Sequence, residues 1–182
     1  MKIRSLTAAA GLSLFCLVAS PAVFAHTKAE IDASADKALA HFYKLNPKHK
    51  ELADKAAGIL VFARVTKGGA GVAGEFGEGA LRISGATADY YSVTSASVGL
   101  TLGYARHSEV ILFMTQDALE KFRKSEDWSA GADTSFALVS KGSGGQYDTA
   151  TLNKPVLGFI FGEKGLIGDL SFEGSKITKI KK

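Results

Sequence analysis

Cysteine is nearly missing from this chain: among 182 residues there is only Cys16, and it sits inside an apolar run near the start. If that run is removed on export, nothing is left to make a disulfide, a thiol nucleophile or a thiolate metal site, and the fold must be held by its core alone. The excess of positive charge is also small. Setting aside Lys2 and Arg4 leaves 20 basic against 18 acidic side chains, far from the dense basic stripe of a nucleic-acid binder. The short motifs of catalysis are missing too: no G-x-S-x-G elbow and no H-E-x-x-H pair occurs, and no G-K-S/T follows the glycines, so no enzymatic activity, cofactor or metal is expected.

The first 25 residues read as a secretory signal. Lys2 and Arg4 form the positive start, Leu6 to Val23 is apolar or small, and Val23-Phe24-Ala25 fits the small-x-small cleavage rule. Cleavage after Ala25 would leave residues 26–182 as one domain, placed in the periplasm or envelope or secreted, with His26 first. An amino-terminal histidine can chelate copper if a second histidine lies near, but no metal is assigned on that ground.

What the sequence has in abundance is glycine in one place. Eight of its 20 glycines fall between Gly58 and Gly85, interleaved with β-favouring pieces such as Ile59-Leu60-Val61-Phe62. Glycine inside a strand marks a bulge, a bend or the close approach of another backbone, so this stretch reads as a bent, half-buried sheet segment. Before it, Thr27-Lys28-Ala29-Glu30 has the form of a capping box. Ile31, Ala35, Leu39, Phe42 and Leu45 then recur at helical spacing, and Asn46-Pro47 opens a second short helix running to Ala57. After Gly85 short strands follow one another: Tyr90 to Val93, Ser97 to Tyr104 and the apolar run Glu109 to Met114. A helix is predicted over 116–124, Trp128 falls in a polar connection, and strands are predicted near 134–140, 154–161, 165–172 and 175–180. Phe76 to Leu81 (FGEGAL) and Phe161 to Leu166 (FGEKGL) echo one another, which suggests two related hairpins.

The segments KAAGILVFARVTKGGAGVAGEFGEGAL, YYSVTSASVGLTLGYARHSEVILFMT and PVLGFIFGEKGLIGDLSFEGSKI, in this order, resemble the SYLF domain, also called the Ysc84-related or DUF500 family, from about Ile31 onward. The resemblance implies lipid binding: eukaryotic members bind phosphoinositide membranes with help from an amphipathic N-terminal helix, and yeast members also bind and bundle actin. Bacterial members are typically exported single-domain proteins. No SH3 domain follows here, and an exported protein would not meet actin, so actin binding is not expected. Where the family has proline after the VF pair, this chain has Ala63.

Two surfaces are candidates for lipid. One is the helix face of Ile31, Leu39, Phe42 and Leu45, with Lys37 and Lys44 beside it to meet anionic phosphates; the same face could equally pack on the sheet. The other is the glycine-rich turn and its basic neighbours, Arg64, Lys67, Gly68, Gly69 and Arg82, together with Lys141 in KGSGG, where successive N–H groups could cradle an anion. An internal acyl pocket walled by residues such as Val98, Ile111, Phe113 and Ile160 is a third reading. Glu75 and Glu78 point to opposite faces of a strand, His41 and His49 read as solvent-facing, and His107 reads as lying at a turn. The expected architecture is α+β: a twisted, largely closed antiparallel sheet with two N-terminal helices and one mid-chain helix against it. The expected function is non-enzymatic binding of lipid or an anionic membrane surface in the cell envelope. The rivals are an envelope scaffold without a lipid ligand, a transmembrane β-barrel, and an enzyme if Glu78, His107 or Ser95 were brought into one cleft.

Overall fold

A computed structural model describes residues 26–130, 132–139, 148–162, 165–166, 171–172 and 174–182. Helix α1 (Lys28–Leu45) begins at the expected capping box: Thr27 Oγ1 accepts from the Glu30 amide while the Glu30 carboxylate accepts from the Thr27 amide at 2.8 Å. Asn46 ends it and caps α2 (Pro47–Lys55), its Oδ1 accepting from the Lys48 amide at 2.9 Å with proline in the first turn. The third helix, α3 (Gln116–Lys124), starts on Thr115 as its composition predicts. A short α4 (Thr149–Leu152) was not foreseen.

The largest departure from expectation lies in the strands. The pieces between Gly58 and Met114 form two continuous strands, β1 (Gly58–Ile83) and β2 (Ala86–Phe113), paired antiparallel along their length. They join through Ser84-Gly85, both at positive φ (51° and 82°), as a two-residue hairpin turn of primed type requires. Register shifts between Phe62 and Val65, between Ala70 and Val72, and between Leu81 and Arg82 bend the hairpin without ending it. At its middle it folds back on itself. A Cβ at Gly77 would sit 3.0 Å from the Arg64 carbonyl, and one at Gly79 would press on the Val61 carbonyl and lie 2.5 Å from Phe62 Cδ1. The glycines thus let the second half of β1 lie against its own first half.

Five short strands complete the curled sheet: β3 (Asp127–Ser129), β4 (Phe136–Leu138), β5 (Val156–Gly162), β6 (Gly165–Leu166) and β7 (Lys176–Ile180). The free edge of β2 takes β7 along Tyr90–Thr94 and β5 along Ser108–Phe113; β3 adds to β7, and β4 and β6 to β5. The sheet is mixed rather than antiparallel throughout, because β4 runs parallel to β5. It curls into a half-barrel with helices packed on it, an α+β fold. Trp128 belongs to β3 and is buried, not in a polar connection. The FGEGAL/FGEKGL echo does not mark two related hairpins: the first copy lies wholly within β1, whereas the ends of the second belong to β5 and β6.

Alternation along the strands divides the core in two. Leu60, Phe62, Ile111 and Phe113 face inward with Leu119 and Phe122 of α3 and with Trp128. Val61, Ala80, Val110, Leu112 and Phe159 face outward against Ile31, Ala35, Ala38 and Phe42 of α1. At 26 and 28 residues, β1 and β2 exceed the ~9–11 a membrane barrel needs, so strand length does not argue against that rival. The covering of the outer face by α1 and α2 does. No helix among the described residues is long and apolar enough to cross a membrane.

The start of the described chain is fastened to the sheet. Glu78 accepts from the His26 amide (3.0 Å) and from Lys182 Nζ (2.6 Å), and His26 Nδ1 lies 3.1 Å from the same carboxylate. Burial pushes the Glu78 carboxyl up, but the bonds from Lys182 and His26 outweigh it and hold it below the usual carboxylate range. A depressed folded value means the clasp stabilises above the ordinary value of 4.5 and is lost as pH falls through the folded one. Glu78→Gln is expected to cost about 1 kcal/mol at pH 7, partly screened because the clasp lies near the surface, and much less in acid. Urea titrations of both proteins at the two pH values check this; an equal deficit at both would mean that the clasp is not the titrating element.

Candidate functional site

The bulge after Phe62 places Ala63 and Arg64 opposite the single residue Ser108, whose Oγ donates to the Ala63 carbonyl at 2.8 Å. A bulge re-aims the side chain it carries, and here it turns Arg64 over α1, where Nη2 donates to Ser34 Oγ at 3.2 Å. Ser34, Lys37, Ala38 and His41 repeat at helical spacing along one flank of α1. Together with Ala63, Arg64, Ser108 and Phe161 they line an open cleft of about 390 Å³, within the size range of small-ligand sites. Its floor is apolar, with Ala38 and Phe161 buried. Its rim is cationic and hydroxylic. His41 Nε2 donates to the Gly162 carbonyl at 3.2 Å, which fixes the ring beside Phe161.

Lys37 and Arg64 are both exposed, and neither pairs with a carboxylate among the described residues. Glu30, which feels Arg64 weakly, is held by its hydrogen bonds with Thr27 and lies below its usual range chiefly for that reason. Two residues from separate candidate surfaces, Lys37 of the helix and Arg64 of the glycine-rich strand, are thus brought together, neither paired with a carboxylate among the described residues.

The other candidates are placed differently. Ile31 and Phe42 are buried and Leu39 and Leu45 partly so, packed on the sheet; in this conformation the apolar face of α1 is core rather than surface. Lys44 is exposed in the last turn of α1. Arg82 is held by Asp36 at 2.7 Å and by the Asp32 carbonyl at 3.2 Å, and is neutralised in a second cleft of about 310 Å³ whose wall also carries Asp54. Lys67 turns toward Glu75 at 3.9 Å. Gly68 pairs with Tyr104 and Gly69 with Gly103; a Cβ at Gly69 would lie 2.6 Å from Ala73 Cα, so Gly69 serves the bend of β1. Lys141 lies outside the described residues. His49 is buried, not solvent-facing, with its ring stacked on Phe42 and Nδ1 2.7 Å from the Phe42 carbonyl.

On the inner face the fold-back assembles a second group that no sequence motif announced. His107 is buried within β2 rather than at a turn, with Nε2 3.0 Å from Glu75 Oε1 and 3.1 Å from Glu109 Oε1. Ser95 Oγ donates to the other Glu75 oxygen at 3.0 Å. Burial pushes the imidazole down, but its bonds to Glu109 and Glu75 outweigh this and raise it to about 9. Burial raises Glu109, only partly opposed by His107. Glu75 is raised by burial too, yet the bond with His107 and the charges around it bring it below its usual range. Ser95 and His107 meet the same carboxylate, but the hydroxyl points at Glu75 and not at the imidazole, so this is not a base-activated nucleophile. Glu78 lies on the opposite face. One signal was available: Glu109 heads an apolar run whose other members are core, and a buried carboxylate requires a partner.

Residues 94–182 match the Ysc84 family model, described as Las17-binding protein actin regulator. This segment is similar to the Ysc84 (SYLF) family. The matched segment supplies Ser108 and Phe161 of the cleft, whereas Lys37 and Arg64 lie before it. No curated protein matches the chain.

Proposed function

We propose that the protein binds anionic lipid headgroups through the cleft between α1 and the β1 bulge, without enzymatic turnover, at a membrane surface of the cell envelope. The observation that carries this reading is the convergence of Lys37 and Arg64 over one cleft, neither paired with a carboxylate among the described residues. Two cations with the Ser34 and Ser108 hydroxyls at the rim suit a phosphate, which takes charge-assisted bonds from a guanidinium fork and an ammonium. Further support lies along the strand. Arg106 and Tyr104 share the face of β2 that carries Ser108, and the guanidinium donates to the Tyr104 hydroxyl at 2.7 Å. Tyr104 is 65% exposed and Val72, in the bend of β1, 60%. An aromatic ring beside a cation is the pairing favoured at a membrane interface. Lys2, Arg4 and the apolar segment ending at Ala25 support export, and for that reason the actin regulation named in the family description is not proposed.

The site is tested with a soluble headgroup. Titration of the ¹⁵N-labelled protein with glycerol phosphate should move the amide signals of Ser34, His41, Arg64 and Ser108 together, and Lys37→Gln/Arg64→Gln should abolish the movement. Shifts confined to other regions, or unchanged in the variant, would place anion binding elsewhere.

A further inference from the structure

The buried group on the inner face has a geometry that the lipid reading does not use. His107 and Glu109 stand two apart on one face of β2, and Glu75 reaches them from the returning half of β1. One nitrogen and two carboxylate oxygens lie within 4.8 Å of one another. Metal–ligand bonds of ~2.0–2.2 Å set ligand atoms roughly 3 Å apart, which is the spacing between His107 Nε2 and each carboxylate here (3.0 and 3.1 Å). A second observation points the same way. Among the described residues, Glu109 Oε2 is buried with no hydrogen-bond partner, in a residue 0% exposed. An orphaned carboxylate oxygen is costly in a core, and a cation would give it a partner. The second oxygen of Glu75 is held by Ser95, and Lys67, with its side chain 25% exposed, approaches that oxygen at 3.9 Å.

We propose that Glu75, His107 and Glu109 form a binding site for one divalent first-row metal ion. The donor set is one imidazole and two carboxylates with no sulfur, which suits Zn²⁺ or Mn²⁺ and disfavours Cu(I). Binding would tie the two ends of the folded-back hairpin together, so the ion would stabilise the fold rather than meet lipid.

Chelator-treated full chain is titrated with ZnCl₂ by calorimetry and with CoCl₂ by visible absorption. The expected result is one equivalent bound, cobalt d–d bands from a site of low symmetry, and a melting temperature that rises with free Zn²⁺. Glu109→Gln and His107→Gln should each weaken binding by more than about 100-fold, beyond the 10–100-fold typical of a supporting residue, while His26→Gln leaves it unchanged. If either variant fails to fold, the cobalt-bound unmodified protein decides through paramagnetically shifted ring protons of His107. No stoichiometric binding, or binding that the variants and the His107 signals do not register, would overturn the proposal and leave an imidazole held between two carboxylates.

Discussion

Gly79→Ala is expected to destabilise the protein by about 3 kcal/mol or more, at the upper end of overpacking effects. The added methyl would meet the Val61 carbonyl and the Phe62 ring, and neither can retreat: both residues are fully buried, and Phe62 sits in the inner core. The comparison that isolates the cause is Gly74→Ala. Gly74 lies five residues earlier in the same strand, is exposed, and would meet nothing within 4 Å, so its change should stay within about 0.5 kcal/mol. Urea unfolding of the two variants reads this directly. Equal stabilities would mean that β1 does not fold against itself, and the assembly of Glu75 with His107 would fall with it.

The second large effect concerns that assembly. In metal-free protein, His107→Leu should cost about 3–5 kcal/mol, because it leaves two carboxylates in the core without their shared donor. Glu109 is fully buried and its second oxygen already lacks a partner among the described residues. Adding Glu109→Leu in the same chain should recover much of the loss, since replacing both members of a buried pair by apolar groups is often near neutral. The coupling energy of the double-mutant cycle is the quantity to measure. Additive losses would show that the two side chains do not depend on one another.

How far the sequence disclosed this arrangement differs by element. The helices were legible: Thr27 and Glu30 form the capping box that their spacing predicted, and Thr115 caps α3. The crowding of glycines was legible as a bend with close backbone approach, which Gly77 and Gly79 show. The continuity of β1 and β2 was not, because bulges break the two-residue alternation while pairing goes on through them. Lys37 and Arg64 were each suspected on separate grounds, but their meeting depends on the bulge at Ala63-Arg64, which no local pattern specifies. Glu75 and His107 are 32 positions apart and joined only by the fold-back. His49 was misjudged because its burial comes from the angle between α1 and α2, which stacks it on Phe42.

The central claim is that Lys37 and Arg64 carry binding to an anionic lipid surface, and co-sedimentation with liposomes tests it most directly. Vesicles of phosphatidylcholine alone and with phosphatidylglycerol are compared at low and high salt, using residues 26–182 and the Lys37→Gln/Arg64→Gln variant. Each cation near such a surface contributes about 1 kcal/mol, so removing two should weaken binding roughly 30-fold at low salt, and high salt should erase most of the difference. Binding that needs the anionic lipid, fades with salt and collapses in the variant is the predicted result. Binding of equal strength to both vesicle types, or unchanged in the variant, would contradict it.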